Sequence, residues 1–372
     1  MSAIPWKDLN DAFGPATEVP GLVAEVARSR GEDLNEALST LCGHVLHQGT
    51  IYSASPPVVQ AIIAFARDAD PPERSTFYQL LDEFAGSARK AIADGRAIPS
   101  HAGGDPVDGR AIRDAILGAE QQFLRDLGSP TAGIRAGAAA LAAGFPEASP
   151  EAANLVRESY FVEPDIRVRR EIIVAMIRVR DRYPDWPGLL EAALRHESDG
   201  GNRFFLLQAQ VVNSGASTTD ATVADLISTF ASFYGTLDFY LGGEAFFNAI
   251  HRLGTERELA AMLRALDAVT GQGAAVTLAQ RLLVLVFTDP RSGWGSTASS
   301  KKAGRRRIEY WGLKGKAPAL PLRWNTAQRN VVEAIARKER LWQFDTNLWE
   351  LFGLPNSSAA IMQVAALRTE RL

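Results

Sequence analysis

The sequence predicts an all-α protein, a solenoid of about seven or eight helical hairpins in which each repeat buries its apolar face on its neighbours. Three observations lead there. Apolar residues recur at helical spacing in one run after another. Glycine or proline punctuates nearly every gap between those runs. No segment has the sustained alternation and β-branched density of a half-buried strand. With 372 residues and 46% hydrophobic content, the chain is long enough for two conventional cores or one elongated stack. The expected organisation is a helical-repeat solenoid over 1–290, a basic and aromatic loop insertion over 291–324, and a helical cap of the same domain over 325–372.

Trp6 to Phe13 reads as a short helix ended by Gly14-Pro15. Thr17 is placed to cap a second helix, with Pro20 in its first turn and Leu22, Val23 and Val26 on its apolar face, running to about Arg30. The stretch Glu36 to Ala69 organises the rest. Ala37, Leu38, Leu41, Val45 and Leu46 precede a polar turn, Gln48 to Ser55, closed by Pro56-Pro57, and Val58, Val59, Ile62, Ile63 and Ala66 follow it. The two runs are expected to face each other as a hairpin. Pro71-Pro72 opens a helix carrying Phe77, Leu80, Leu81 and Phe84, Ala97 to Gly109 is a loop, and Ala111 to Leu127 is helical again.

Further hairpins follow: Ala132 to Ala143 with Pro150 to Val162, Pro164 to Tyr183 with Trp186 to Glu197, Arg203 to Val212 with Thr219 to Tyr234, and Glu244 to Leu253 with Glu256 to Val269. Ala274 to Phe287 is left to pair with something beyond the next loop. The spacing between hairpins is roughly 35 to 50 residues, the period of two-helix repeats. Ser292 to Trp324 breaks the pattern, being rich in Gly, Ser, Lys, Arg and Trp, and a loop of that length in a compact array is uncommon. Helical pattern resumes over Thr326 to Ile335 and Asn347 to Phe352. A closing helix follows Pro355, capped by Asn356, Ser357 or Ser358.

The net charge of −3 with 22% charged residues is that of an ordinary globular protein and gives no tether to polyanions. No apolar run approaches the ~18 residues of a membrane span. The start, MSAIPWKDLNDAF, lacks the basic-then-apolar order of a secretory signal. The single cysteine, Cys42, excludes an intrachain disulfide and suits a reducing compartment. A cytoplasmic location is therefore expected, and the abundance of Ala, Gly, Arg and Leu fits a GC-rich bacterial genome.

The opening WKDLNDAFGPATEVPGLVAEV, followed by EAL..L...VLHQGTIYSAS, resembles bacterial HEAT-like repeat proteins, of the armadillo-type fold. In those a Trp-led helix, a YGPA..VP turn and an HQGT.Y.A turn open a helical solenoid; here Phe13 stands in place of the tyrosine. The stretch NTAQRNVVEAIARKERLWQFDTNLWELFGLP is similar to the C-terminal cap of the same group. The likeness covers residues 6–70 and 325–355. It implies a protein-binding scaffold and carries over no catalytic residue. Some HEAT-like proteins in bacteria are immunity proteins, others DNA-alkylation glycosylases.

Candidate residues fall in four groups. Cys42, His44 and His47 have two imidazoles at helical spacing, but a metal needs a third and usually a fourth ligand, so His47 is read as ending its helix; no metal and no cofactor are expected. Arg167, Arg170 and Arg178 lie broadly on one side of the helix after Pro164, the face that would read phosphates; Glu163, Asp165, Glu171, Asp181 and Asp185 interleave with them and favour local pairing. Lys301, Lys302, Arg305, Arg306 and Arg307 beside Tyr310 and Trp311 suit phosphate contact with base stacking, an acidic protein partner, or simply a solvated loop. Phe204, Phe205, Phe230, Phe233, Tyr234, Phe239, Tyr240, Phe246 and Phe247 read as packing between repeats. No Gly-rich phosphate loop, nucleophile elbow or zinc-protease motif is present.

These readings converge on a non-catalytic protein-binding protein, neutralising or scaffolding a partner through its concave surface. The alternative is a nucleic-acid-acting enzyme of the alkyl-base glycosylase type. It would use the Arg167 to Arg182 face, with Asp165 or Asp185 beside Trp186.

Overall fold

A computed structural model describes residues 4–95, 109–233, 244–287, 324–342, 354–355 and 357–367. Every regular element among them is helical, apart from one isolated bridge between Asn10 and Pro15. No described helix is long and apolar enough to cross a membrane. The chain divides into two compact units, Met1–Leu189 and Leu190–Leu372.

The first unit begins with a 3₁₀ turn, Trp6–Asp8, where a helix to Phe13 was expected. Asp11 stops it. Its Oδ1 accepts the N–H groups of Phe13 (2.8 Å) and Gly14 (3.1 Å), and its Oδ2 meets His44 Nδ1 at 2.7 Å. A short carboxylate that bonds its own following backbone competes with helix hydrogen bonds and wins here. His44 is thus tied to a turn, and among the described residues no group of three potential ligands could hold a metal.

The helices α1 (Val19–Arg28), α2 (Gly31–Val45), α3 (Ser55–Asp68) and α4 (Pro71–Asp94) follow. Glu18 rather than Thr17 precedes α1. α2 ends at Val45, before His47, and a 3₁₀ turn of His47–Gly49 carries Gln48 at φ 51°. Pro56-Pro57 and Pro71-Pro72 lie in the first turns of α3 and α4, where the missing N–H costs nothing. The pairing differs from the expected hairpin. α2 packs chiefly on α1, and α3 on α4, rather than α2 on α3. Both runs carry an apolar face, and periodicity alone does not say which neighbour covers it.

The expected helix from Ala111 to Leu127 breaks at Gly118-Ala119 into α5 (Arg110–Gly118) and α6 (Glu120–Asp126). Then come α7 (Ala132–Ala142), α8 (Pro150–Val162) and α9 (Ile166–Arg178), which gives way to a 3₁₀ turn at Arg180–Arg182 instead of continuing to Tyr183. α7 packs on α6 and lies between α4 and α9, α8 packs on α9, and α3 also touches α5. Tyr78 and Tyr160 are fully buried, the Tyr78 hydroxyl donating to Asp126 at 2.6 Å.

Helix α10 (Trp186–His196) carries the division between units. The second unit holds α11 (Gly200–Ser214), α12 (Asp220–Phe233), α13 (Glu244–His251), α14 (Thr255–Ala268), α15 (Gln272–Phe287), α16 (Thr326–Arg337) and α17 (Ser358–Leu367). Here α11 packs on α12 and on α13, α14 packs on α12 and α15 and less extensively on α13, and α15 packs on α16. Phe204, Phe230, Phe246 and Phe247 are core residues, with Phe230 stacked on Phe246 at 4.1 Å. Tyr234, Phe239 and Tyr240 lie outside the described residues, as does Asn347 to Phe352. Asn325 and Gln328 form a reciprocal capping box on α16, and Ser357 Oγ accepts the Ala360 N–H at the start of α17.

One local device recurs. The fourth residue of α4, α7, α9 and α11 is an arginine that reaches back over its helix's entry to the carbonyls just before it. Arg74 bonds Arg67 O and Ala69 O, Arg135 bonds Ser129 O and Pro130 O, Arg169 bonds Glu163 O and Pro164 O, and Arg203 bonds Leu194 O and Glu197 O. The chain entering a helix leaves carbonyls with no helical partner, and a guanidinium satisfies two at once. Asp70, Thr131, Asp165 and Asp199 occupy the N-cap positions before these arginines. Arg135, Arg169 and Arg203 are equally spaced along the chain.

Candidate interaction face

A charged face of the first unit is built around α7, whose sequence AGIRAGAAALA is nearly all small residues. Small size has a cause. A Cβ added at Gly137 would lie 2.5 Å from Tyr78 Cβ, and one at Gly133 would collide with Ser75 Oγ. α4 therefore approaches α7 closely on one side while α9 packs on the other. Both flanking helices carry an acid followed two turns later by an arginine: Asp82 and Arg89 on α4, Glu171 and Arg178 on α9.

The two arginines converge on the carboxyl end of α7. Arg178 Nη1 donates to Ala140 O at 2.9 Å and Ala143 O at 3.3 Å; Arg89 Nη1 donates to Gly144 O at 2.8 Å. Cations at a helix C-terminus are favoured by the unsatisfied carbonyls and the helix dipole. Arg89 also lies over the Phe145 ring, 5.8 Å from its centroid, and its Nη2 is 3.6 Å from Asp82 Oδ1. Burial and the neighbouring Arg89 charge bring Arg178 down to about 10, with Asp82 and Glu171 opposing. Burial also lowers Arg89.

The acids are less well provided for. Glu171 is half-buried and has no hydrogen-bond or ion-pair partner among the described residues. Burial raises its pKa, repulsion from Asp82 adds to that, and the Arg178 and Arg170 charges pull the other way. Asp82 Oδ1 is buried with no hydrogen bond.

The structure thus splits the three arginines expected to share one face. Arg178 is committed to the α7 carbonyls, which its place on a helical wheel did not reveal. Arg170 is half-buried and lies in the field of Glu171. Arg167 is at the opposite end of α9, 90% exposed, with Nε 3.9 Å from Asp165 Oδ1. Asp165 and Asp185 hold helix entries: Asp165 accepts the Arg167 and Val168 N–H groups, and Asp185 accepts that of Gly188. Trp186 is buried and stacks on Tyr183 at 5.7 Å. Lys301, Lys302, Arg305, Arg306, Arg307, Tyr310 and Trp311 lie outside the described residues. Asp82 and Arg89 were not singled out from sequence, and Glu171 was read there only as one of the acids interleaved with the α9 arginines. The matching acid-to-arginine spacing on the helices either side of an alanine-glycine helix was the available signal.

Comparison with protein-family models finds no match, and comparison with curated protein sequences finds none either.

Proposed function

We propose that this chain is a HEAT-like helical-repeat protein that binds another protein through the α4–α7–α9 face and performs no chemistry there. The observation that carries the reading is Glu171, a half-buried carboxylate without a hydrogen-bond or ion-pair partner among the described residues, set against Asp82 and two desolvated arginines. Ion pairs completed in such partly dry surroundings contribute more than those on an open surface. A face of both signs suits a protein surface that presents a cation to the acids and acceptors to the arginines. A polyphosphate would meet Asp82 and Glu171 as like charges. The repeat reading is supported by the recurring arginine device and by the resemblance of residues 6–70 and 325–355. A neutralising or adaptor role in a bacterial cytoplasm is the biological form that fits.

The test is affinity capture from a bacterial lysate with and without nuclease, using the wild type and Glu171→Arg side by side. A stoichiometric protein that survives nuclease and is lost with Glu171→Arg is the expected result, with affinity down about 30-fold or more for removal of a desolvated charge pair. Recovery of nucleic acid, or of proteins that vanish with nuclease, would move the chain to the DNA-acting class instead. Capture unaffected by Glu171→Arg would refute this face.

A further inference from the structure

The corner where α8 meets α9 exposes apolar side chains that the α7 face does not use. Val162 is 80% exposed, and Ile166, Phe161 and Leu155 are exposed around it. Leu155 and Val162 are two turns apart on one stripe of α8, about 10 Å from each other. An exposed apolar stripe rimmed by charge marks an interaction surface.

The rim is ordered. Glu151, in the first turn of α8, makes the amino end of the stripe acidic, while Arg167, just past the α8–α9 turn and 90% exposed beside the less exposed Asp165 (Nε to Oδ1 3.9 Å), presents the outermost cation at the other end. Between them Arg157 and Glu158 stand side by side, Nη2 to Oε1 3.5 Å. A pattern that is acidic at one end, apolar in the middle and basic at the other complements its own antiparallel copy. Glu151 then faces the copy's basic end, Arg157 faces the copy's acid at the centre, and Leu155 and Val162 cover each other's counterparts.

We propose that two copies of the chain pair through this corner about a twofold axis, an isologous interface of the kind commonest among soluble oligomers. A single helix-on-helix contact buries less than the ~1,200–2,000 Å² of a tightly held interface. The dimer is therefore a weak one, with a dissociation constant of about 10 µM or higher. It stands independently of the α7 face.

Sedimentation velocity of the full chain over about 1 to 300 µM reads it directly, because this range brackets such a constant. The weight-average mass should climb toward twice the monomer as concentration rises. Val162→Glu, at a position open enough to leave the fold intact by circular dichroism, should weaken association at least tenfold. Arg157→Glu and Glu158→Arg should each weaken it alone, and the two together should restore it, since the swapped pair is again self-complementary. A chain that stays monomeric throughout overturns the proposal. So does a dimer indifferent to Val162→Glu, or single charge reversals that the double reversal does not rescue.

Discussion

Arg135 and Glu163 provide the sharpest test of how the first unit is held together. The pair is bidentate, Nε to Oε2 at 2.7 Å and Nη2 to Oε1 at 2.8 Å, with the carboxylate side chain 5% exposed and the guanidinium 18%. Arg135 turns its third nitrogen, Nη1, to Ser129 O and Pro130 O, and Glu163 also accepts the Asp165 N–H at 3.0 Å. Arg135→Ala would leave a buried carboxylate with one backbone donor. Losing a partner from a buried pair costs about 3–5 kcal/mol and from a charge-assisted hydrogen bond about 1.5–3. With the arginine partly solvated, about 3 kcal/mol is expected. For a unit of this size that lowers Tm by about 6–12 °C. Glu163→Ala should cost about the same, and the double variant clearly less than the sum, with a coupling of about 1.5–3 kcal/mol in urea titrations followed by circular dichroism. Burial alone pushes Glu163 up, but the Arg135 and Asp165 bonds and the Arg135 charge outweigh it and hold the carboxyl below its ordinary value. The pair's contribution is thus present above the unfolded glutamate range and is lost as pH falls through the depressed value. The stability gap between wild type and Glu163→Gln should narrow in acid. Single-variant losses that add to within about 0.5 kcal/mol would refute the coupling.

Three further outcomes follow from contacts already described. Gly137→Ala drives a Cβ to 2.5 Å from a fully buried Tyr78 whose hydroxyl is anchored on Asp126, and should cost about 1–3 kcal/mol; Gly43→Ala in α2, with nothing within 4 Å, should be neutral or gain up to about 1 kcal/mol, both read by thermal unfolding. Glu171→Gln should raise Tm at neutral pH, because a raised carboxyl pKa means that the folded state disfavours the charge; stability falls as pH rises through the window between the unfolded and folded values, so the advantage should vanish in acid. Burial, with the Glu83 charge behind it, pushes the Cys42 thiol up to about 11, so labelling with a thiol reagent at pH 8 should be slow in the native protein and become rapid on unfolding.

The helical class was legible because apolar periodicity is written into nearly every element, and α4, α12, α14 and α16 lie where that periodicity places them. Misreadings came where a side chain overrides the backbone pattern. Asp11 closes a turn inside a run that otherwise reads as helix, and its second oxygen holds an imidazole far along the chain. Helix pairing was harder, since α2 and α3 each offer an apolar stripe and a stripe does not name the neighbour that covers it. The arginine count on α9 was plain in the sequence, but its meaning was not. Whether a guanidinium faces solvent or a helix end depends on α7, whose small residues let Arg178 reach across. For the same reason Glu171 and Asp82 became a pair only in three dimensions.

The recurring arginines bear on how quickly the chain organises itself. Each closes a ring back to carbonyls no more than nine residues earlier, so the chain entropy lost in making it is small. Several such rings can form without waiting for one another, and proteins dominated by short-range contacts fold in microseconds to milliseconds. The Arg135–Glu163 link is of another kind, spanning 28 residues and requiring two such segments to be in place already. Refolding traces should therefore show helix content arriving ahead of the stability that this longer bridge supplies, and its loss should appear mainly as faster unfolding.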